Sequence, residues 1–263
     1  MSGSVHVERT GRIAHVRIDR GDGVNALSDA VMRELTDVAR SFEDDVETSA
    51  VVLTGTSSVF SLGFDLTDRS TAELASAGLA QQRVLQQRGP RLCDAWEAIE
   101  PLTIVAIEGW CVGGGVALAV SCDLRVMARD ARIYVPEIER GMNMSWGSIP
   151  RFVNLMGPAR TKRLVALAEK VDAETAHSWG FADEVADSGE AVALATGLAE
   201  RAAALPPVQL RMCKQGIDAA AKALNQAVSS LDRDQFLLAQ RSEDFIEGVA
   251  SFMEKRPPKY TGR

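Results

Sequence analysis

The sequence predicts an α/β fold with a helical C-terminal region, and three observations carry that prediction. Two short apolar runs, Ala50-Val51-Val52-Leu53-Thr54-Gly55 and Thr103-Ile104-Val105-Ala106-Ile107, read as buried strands. The second leads through Gly109-Trp110-Cys111-Val112-Gly113-Gly114-Gly115 into Val116-Ala117-Leu118-Ala119-Val120, a run uncharged and small enough for a tightly packed helix. From Pro158 onward the composition shifts to alanine with dispersed charges, the pattern of helices rather than strands.

Residues 5–9 and 12–19 are expected to form a hairpin turning at Thr10-Gly11, with Ala14, Val16 and Ile18 alternating onto one face. Asp22-Gly23 marks a further turn. Asn25-Ala26-Leu27-Ser28 then enters a helix capped by Ser28, and Val31, Leu35, Val38 and Phe42 recur at helical spacing on its buried face. Residues 67–87 are polar, alanine-rich and weakly patterned. Leu92, Ala95, Trp96 and Ile99 mark an amphipathic helix that stops before Pro101. Residues 123–128 and 132–135 read as strands. Helices are expected at 193–205, ended by Pro206-Pro207, and at 208–221 and 231–253.

With 263 residues the chain has room for one large domain or a domain with an appendage. Its 46% hydrophobic and 25% charged residues are ordinary for a globular protein. No apolar run approaches the roughly 18 residues of a membrane span. The start, with Glu8 and no apolar stretch, does not read as a secretory signal, and a cytoplasmic location is expected. Cys93, Cys111, Cys122 and Cys213 are scattered without a C-x-x-C pair, which argues against zinc or a disulfide framework and for reduced core thiols. A net charge of −7 disfavours a nucleic-acid surface while leaving room for a local cluster that binds a polyanion.

The glycine turn between strand and helix has a chemical use. Glycine lets the main chain approach a ligand closely, and the first helical N–H groups, lacking intrahelical partners, face outward as fixed donors. Close helix–strand packing alone would also require glycine there. A second stretch, Val59-Phe60-Ser61-Leu62-Gly63-Phe64-Asp65-Leu66, has matching chemistry. These two stretches, together with Asn25-Ala26-Leu27, Pro136-Glu137 and Trp179-Gly180-Phe181-Ala182-Asp183-Glu184-Val185, resemble the enoyl-CoA hydratase/isomerase (crotonase) superfamily, from Ile13 to the C-terminal tail.

The resemblance implies a crotonase-like ββα spiral core over residues 1–190 that carries an acyl-CoA site. It also implies a C-terminal helical oligomerisation region, 191–263, that packs subunits into trimers or dimers of trimers. A bundle covering its own domain is the alternative. The backbone N–H groups of Phe64 and Gly114 would form an oxyanion hole for the thioester oxygen, flanked by Gly63, Asp65 and Gly113. Ala26 and Leu27 would lie beside the CoA adenine, unless they are an ordinary helix entry. Residues 67–87 would cover the acyl pocket. Coenzyme A is expected as part of the substrate thioester, with no tightly bound cofactor, no metal, and neither nucleic acid nor membrane as a partner.

The carboxylates separate the reactions. Hydratases of the family hold one water between two glutamates, and here the first position, three residues after Gly114, is Ala117. The second is Glu137. Ala117 is expected on the first turn of the central helix, near the reacting carbons. One carboxylate with an oxyanion hole still moves a proton, and family members with a single glutamate here isomerise 3-enoyl-CoA to 2-enoyl-CoA. Apolar Met142, Met144 and Trp146 around Glu137 would raise its pKa towards a useful range. Glu139, two residues on, is the competing acid. The bulk of Met144 and Trp146 puts straight-chain acyl specificity in doubt. Ser145 stands where dehalogenases and dienoyl-CoA isomerases of the family carry an aspartate, so their chemistry is not supported. The expected activity is an enoyl-CoA isomerase of fatty acid metabolism. The alternatives are a hydratase (a lyase), another enolate-based acyl-CoA reaction, or a non-catalytic acyl-CoA-binding protein of the same fold.

Overall fold

The computed structural model describes residues 3–263, and all their side chains except those at positions 70–72, 75 and 233. In chain order the elements are β1 (Val5–Thr10), β2 (Ile13–Ile18), α1 (Asp29–Arg40), β3 (Ala50–Thr54), β4 (Val59–Ser61), α2 (Arg69–Ser76), α3 (Leu79–Leu85) and α4 (Arg88–Glu97). Then follow β5 (Leu102–Ile107), β6 (Trp110–Val112), α5 (Gly114–Ala119), β7 (Leu124–Ala128), β8 (Arg132–Tyr134) and a 3₁₀ turn, Glu137–Arg140. The rest comprises α6 (Ser148–Val165), β9 (Val171–Asp172), α7 (Ala173–Trp179), β10 (Glu184–Ala186), α8 (Ala191–Ala203), α9 (Pro207–Ala221), α10 (Asn225–Ala239) and α11 (Glu243–Met253).

Two sheets share the chain. One runs β1-β2-β3-β5-β7-β10, the other β4-β6-β8-β9. The pairs β3/β4, β5/β6 and β7/β8 each give one strand to each sheet, so the backbone climbs as a ββα spiral. Within the larger sheet β2, β3, β5, β7 and β10 are parallel and only β1 is antiparallel, closing the expected hairpin at Thr10-Gly11. Parallel strands are covered on both faces, which is why β3 and β5 read as unbroken apolar runs. All five residues of β3 are buried. One cover is α8, whose Ala191, Ala195, Ala199 and Ala202 are buried against β3, β5 and β7. Small side chains permit that close approach.

Several expected elements shift. The helix entered at Ser28 forms as read, with Ser28 Oγ accepting from the Val31 N–H at 3.3 Å. Residues 67–87, unpatterned in sequence, contain α2 and α3. The helix expected from Pro158 already starts at Ser148 and breaks at Gly157, which has φ 74° and ψ 168°. The single helix expected at 231–253 is two, because Ser242 caps α11 by accepting from the Phe245 N–H at 3.0 Å. The boundary expected at residue 190 falls just before α8, which is a layer of the core. α9 still touches the sheet at β5, and α10 packs on α6. Cys93, Cys111 and Cys122 are buried and free, whereas Cys213 on α9 is exposed. No helix among the described residues is long and apolar enough to cross a membrane.

Candidate active site

A cavity of about 530 Å³ opens where the two glycine loops meet the 3₁₀ turn and the C-terminal helices. Its first wall is main chain. Asn25 is buried with φ 50°, and its amide donates to the Ile18 carbonyl at 2.9 Å. Its own carbonyl accepts from Ser61 Oγ at 2.7 Å. The Leu27 N–H donates to the Gly63 carbonyl at 2.7 Å, and the Asp65 N–H donates to the Leu27 carbonyl at 3.2 Å. This clamp holds the residue between them, Phe64, with its N–H outside the local backbone hydrogen bonds.

Gly113 (φ 51°) starts α5 with its N–H on the Tyr134 carbonyl at 2.8 Å, and Gly114, the first helical residue, has no carbonyl one turn back to bond. The two free donors are neighbours: a methyl group built on Gly114 would lie 3.4 Å from the Phe64 nitrogen. One built on Gly63 would lie 3.1 Å from the Gly114 nitrogen and 2.6 Å from the Val112 carbonyl oxygen. Glycine is required where these chains cross. The pair of N–H groups presents one point to an oxygen acquiring negative charge.

Glu137 reaches the same point from β8. The register of β6 on β8, Val112 against Tyr134, carries Val135 and Pro136 past the glycine turn. A methyl on Gly113 would lie 2.5 Å from Glu137 Oε1. Glu137 Oε2 is fully enclosed without a hydrogen-bond partner. Burial pushes this carboxyl up to about 7, against the smaller opposing pull of its own backbone N–H and of the Arg140 charge. A carboxyl poised there can both take and return a proton near neutral pH.

The other carboxylates of the cavity are spoken for. Burial raises Asp65, but hydrogen bonds from Thr67 and Arg20 outweigh it and hold the carboxyl below its usual range. Asp22 is likewise held low, its burial outweighed by the Asn25 and Val24 N–H groups and by Arg20. Glu139, the competing acid, is exposed and does not line the cavity. It accepts from the Tyr134 hydroxyl on the outer side of the turn.

Trp146 closes the site from above. It has φ 63°, a left-handed conformation that costs an aromatic residue on the order of 1–3 kcal/mol. Two buried charged groups hold it there. Arg151 donates to the Trp146 carbonyl at 3.0 Å, and Asp232 on α10 accepts from the next N–H, Gly147, at 2.7 Å. The indole therefore lies over Gly114, within 2.7 Å of a methyl built there, and packs edge-on against Phe64 with centroids 6.5 Å apart. Gly89 on α4 makes room on the other side.

Of the residues expected at the site, Ala26, Gly63, Phe64, Asp65, Gly113, Gly114, Glu137, Met142, Met144, Ser145 and Trp146 line this one cavity. Two do not. Leu27 is wholly buried and works through its backbone, which clamps the Phe64 loop. Ala117 is wholly buried in the hydrophobic core, so its side chain starts behind the cavity wall rather than at the reacting centre. Arg140 and the α11 residues Phe245 and Phe252 line the cavity without having been singled out in the sequence. The spacing of Arg140 three residues after Glu137 was the available signal.

A sequence model described as enoyl-CoA hydratase/isomerase matches residues 8–263. A probable enoyl-CoA hydratase of Mycobacterium bovis is 28% identical over 99% of this chain and 98% of its own. A 1,2-epoxyphenylacetyl-CoA isomerase of Escherichia coli is 29% identical over 98% of this chain and 97% of its own. Among solved structures, carnitinyl-CoA hydratase from Mycobacterium avium superposes with a TM-score of 0.87 at 30% identity, each chain covered completely.

Proposed function

Because the chain belongs to the enoyl-CoA hydratase/isomerase family, we propose that it is an isomerase that shifts the double bond of a 3-enoyl-CoA to the 2-position through Glu137 alone. One observation carries the reading: among the described residues lining the cavity, Glu137 is the carboxyl that forms no hydrogen bond or ion pair with another residue, its Oε2 enclosed without any partner, beside the Phe64 and Gly114 N–H groups. The thioester oxygen accepts from these two N–H groups. Glu137, ionised, removes a proton from the carbon next to the carbonyl, and the electrons move onto the oxygen as an enolate. The same carboxyl then returns a proton to the fourth carbon, leaving the double bond conjugated with the thioester. No water enters the product. Coenzyme A takes part only as the substrate's handle.

Hydration is the second reading, favoured by the names of the Mycobacterium bovis and Mycobacterium avium relatives. It asks for a second group to hold the water, and the methyl of Ala117 cannot.

The test is substitution of the two adjacent acids. Glu137→Gln keeps the side-chain volume and removes the base, so turnover of 3-enoyl-CoA should fall by about 10²–10⁴-fold with thioester binding nearly unchanged. Glu139→Gln should stay within a few-fold of the parent. The reverse pattern would move the proton to Glu139 and overturn the assignment.

A further inference from the structure

The cavity holds a cation that forms no ion pair among the described residues. Among the described residues three arginines line it. Arg20 is paired with Asp22 at 3.0 Å and Asp65 at 2.8 Å, and Arg88 with Asp29 at 2.7 Å. Arg140 forms no ion pair and no side-chain hydrogen bond among the described residues, and its Nε is enclosed without an acceptor. Leaving a buried donor of a charged group unpaired is expensive, by more than the roughly 1–3 kcal/mol of a neutral one.

The geometry states which part of a ligand that is. Arg140 and Glu137 begin and end one 3₁₀ turn, in which side chains three residues apart eclipse. Both face the same cavity, yet no ion pair joins them, and the Arg140 charge only partly offsets the burial of Glu137. Arg20 belongs instead to the loop before α1, at Ala26. The guanidinium face is occupied, its carbon lying 4.1 Å from the centroid of the Phe252 ring. Stacking on a ring uses the face and leaves the N–H groups, which lie in the guanidinium plane, free to grip a planar anion edge-on. Around it Phe245, Phe252 and Met142 supply an apolar surface for a carbon chain. The packing is built in: Gly141 meets the backbone of Asp244 and Phe245, and Gly248 meets the backbone of Arg140, with room for no Cβ at either.

We propose that the acyl group of the substrate ends in a second carboxylate, making it the CoA monothioester of a dicarboxylic acid, and that Arg140 binds this carboxylate. The inference rests on the acyl-CoA reading of the cavity and deepens it. A methyl-ended chain would leave the guanidinium without an ionic partner, whereas a carboxylate forms charge-assisted hydrogen bonds with it. Sites built around such a group discriminate strongly against ligands that lack its partner.

The experiment measures binding by calorimetry for two non-reacting thioesters of six-carbon acyl groups, adipyl-CoA and hexanoyl-CoA, to the parent, Arg140→Lys and Arg140→Met proteins. The parent should prefer adipyl-CoA by at least ~10-fold, with the ratio falling to about 1 in Arg140→Met and to an intermediate value in Arg140→Lys. Equal affinities in the parent would overturn the proposal. So would losing both affinities in parallel, which would assign Arg140 to the coenzyme portion or to the fold. Because neither thioester has a double bond, the result does not depend on the proton shift. Should the parent prefer adipyl-CoA but fail to isomerise any 3-enoyl-CoA, the proton-shift reading falls and the carboxylate site stands.

Discussion

The two sides of the cavity are built from different materials. On one side lie the Phe64 and Gly114 loops, where the working groups are main-chain N–H donors fixed by sheet register and by glycines at chain crossings. On the other lie the 3₁₀ turn and α11, where the working groups are the side chains of Glu137 and Arg140, enclosed by Phe245 and Phe252. In the proposed reaction the first side would only stabilise charge on an oxygen, whatever acyl group reaches it. The second would decide, in the proposed reading, what happens to that charge and which acyl group arrives. A backbone oxyanion site paired with a replaceable side-chain wall is how one fold supports several acyl-CoA reactions.

The comparison breaks hardest at the main-chain side. Gly114→Pro deletes a donor outright, but its ring would meet the Trp146 indole, so the substitution belongs in a Trp146→Ala background. Relative to Trp146→Ala alone, turnover should drop by roughly 10²–10³-fold, the equivalent of about 2.7–4 kcal/mol. Circular dichroism is the control that both variants fold. Equal activity in the two would remove Gly114 from the oxyanion hole.

A smaller effect sharpens the side-chain half. Glu137, ordinarily near 4.5, is pushed by burial to about 7. Between those values the folded protein keeps a proton that the unfolded chain has released. Stability therefore falls as pH rises through this window and is greatest below it, by an amount on the order of 3 kcal/mol. Asp232, pushed by burial from 3.8 to about 6, adds a slope of the same sign at lower pH. Denaturant unfolding from pH 4 to pH 8 should show a flatter profile for Glu137→Gln than for the parent, with the Asp232 slope retained in both. Parallel profiles would mean that Glu137 is not desolvated in the folded protein.

The same contrast explains what the sequence made legible. Main-chain donors depend on glycines and short strands that lie close in sequence, so Phe64 and Gly114 could be located by motif. The Pro136-Glu137 pair was found the same way. Ala117 shows the limit: counting from Gly114 gives the position along α5 but not its depth, and the methyl sits in the core. Arg140 and Phe252 are more than a hundred residues apart, and their contact depends on the crossing at Gly141 and Gly248. No periodicity of either segment reports that crossing. Trp146 drew notice for its bulk, but its direction is set by φ 63° and by Arg151 and Asp232, all of them tertiary facts.

The central claim is that one carboxyl, without a second to hold water, shifts a proton. Its most direct measurement is product identity from matched 3-enoyl-CoA and 2-enoyl-CoA thioesters given separately to the parent protein, followed by mass and by absorbance of the conjugated thioester. The account predicts that the 3-enoyl thioester becomes the 2-enoyl thioester at unchanged mass and that the 2-enoyl thioester gains water slowly or not at all. Rapid addition of one water to the 2-enoyl thioester, with the 3-enoyl thioester left untouched, would contradict it.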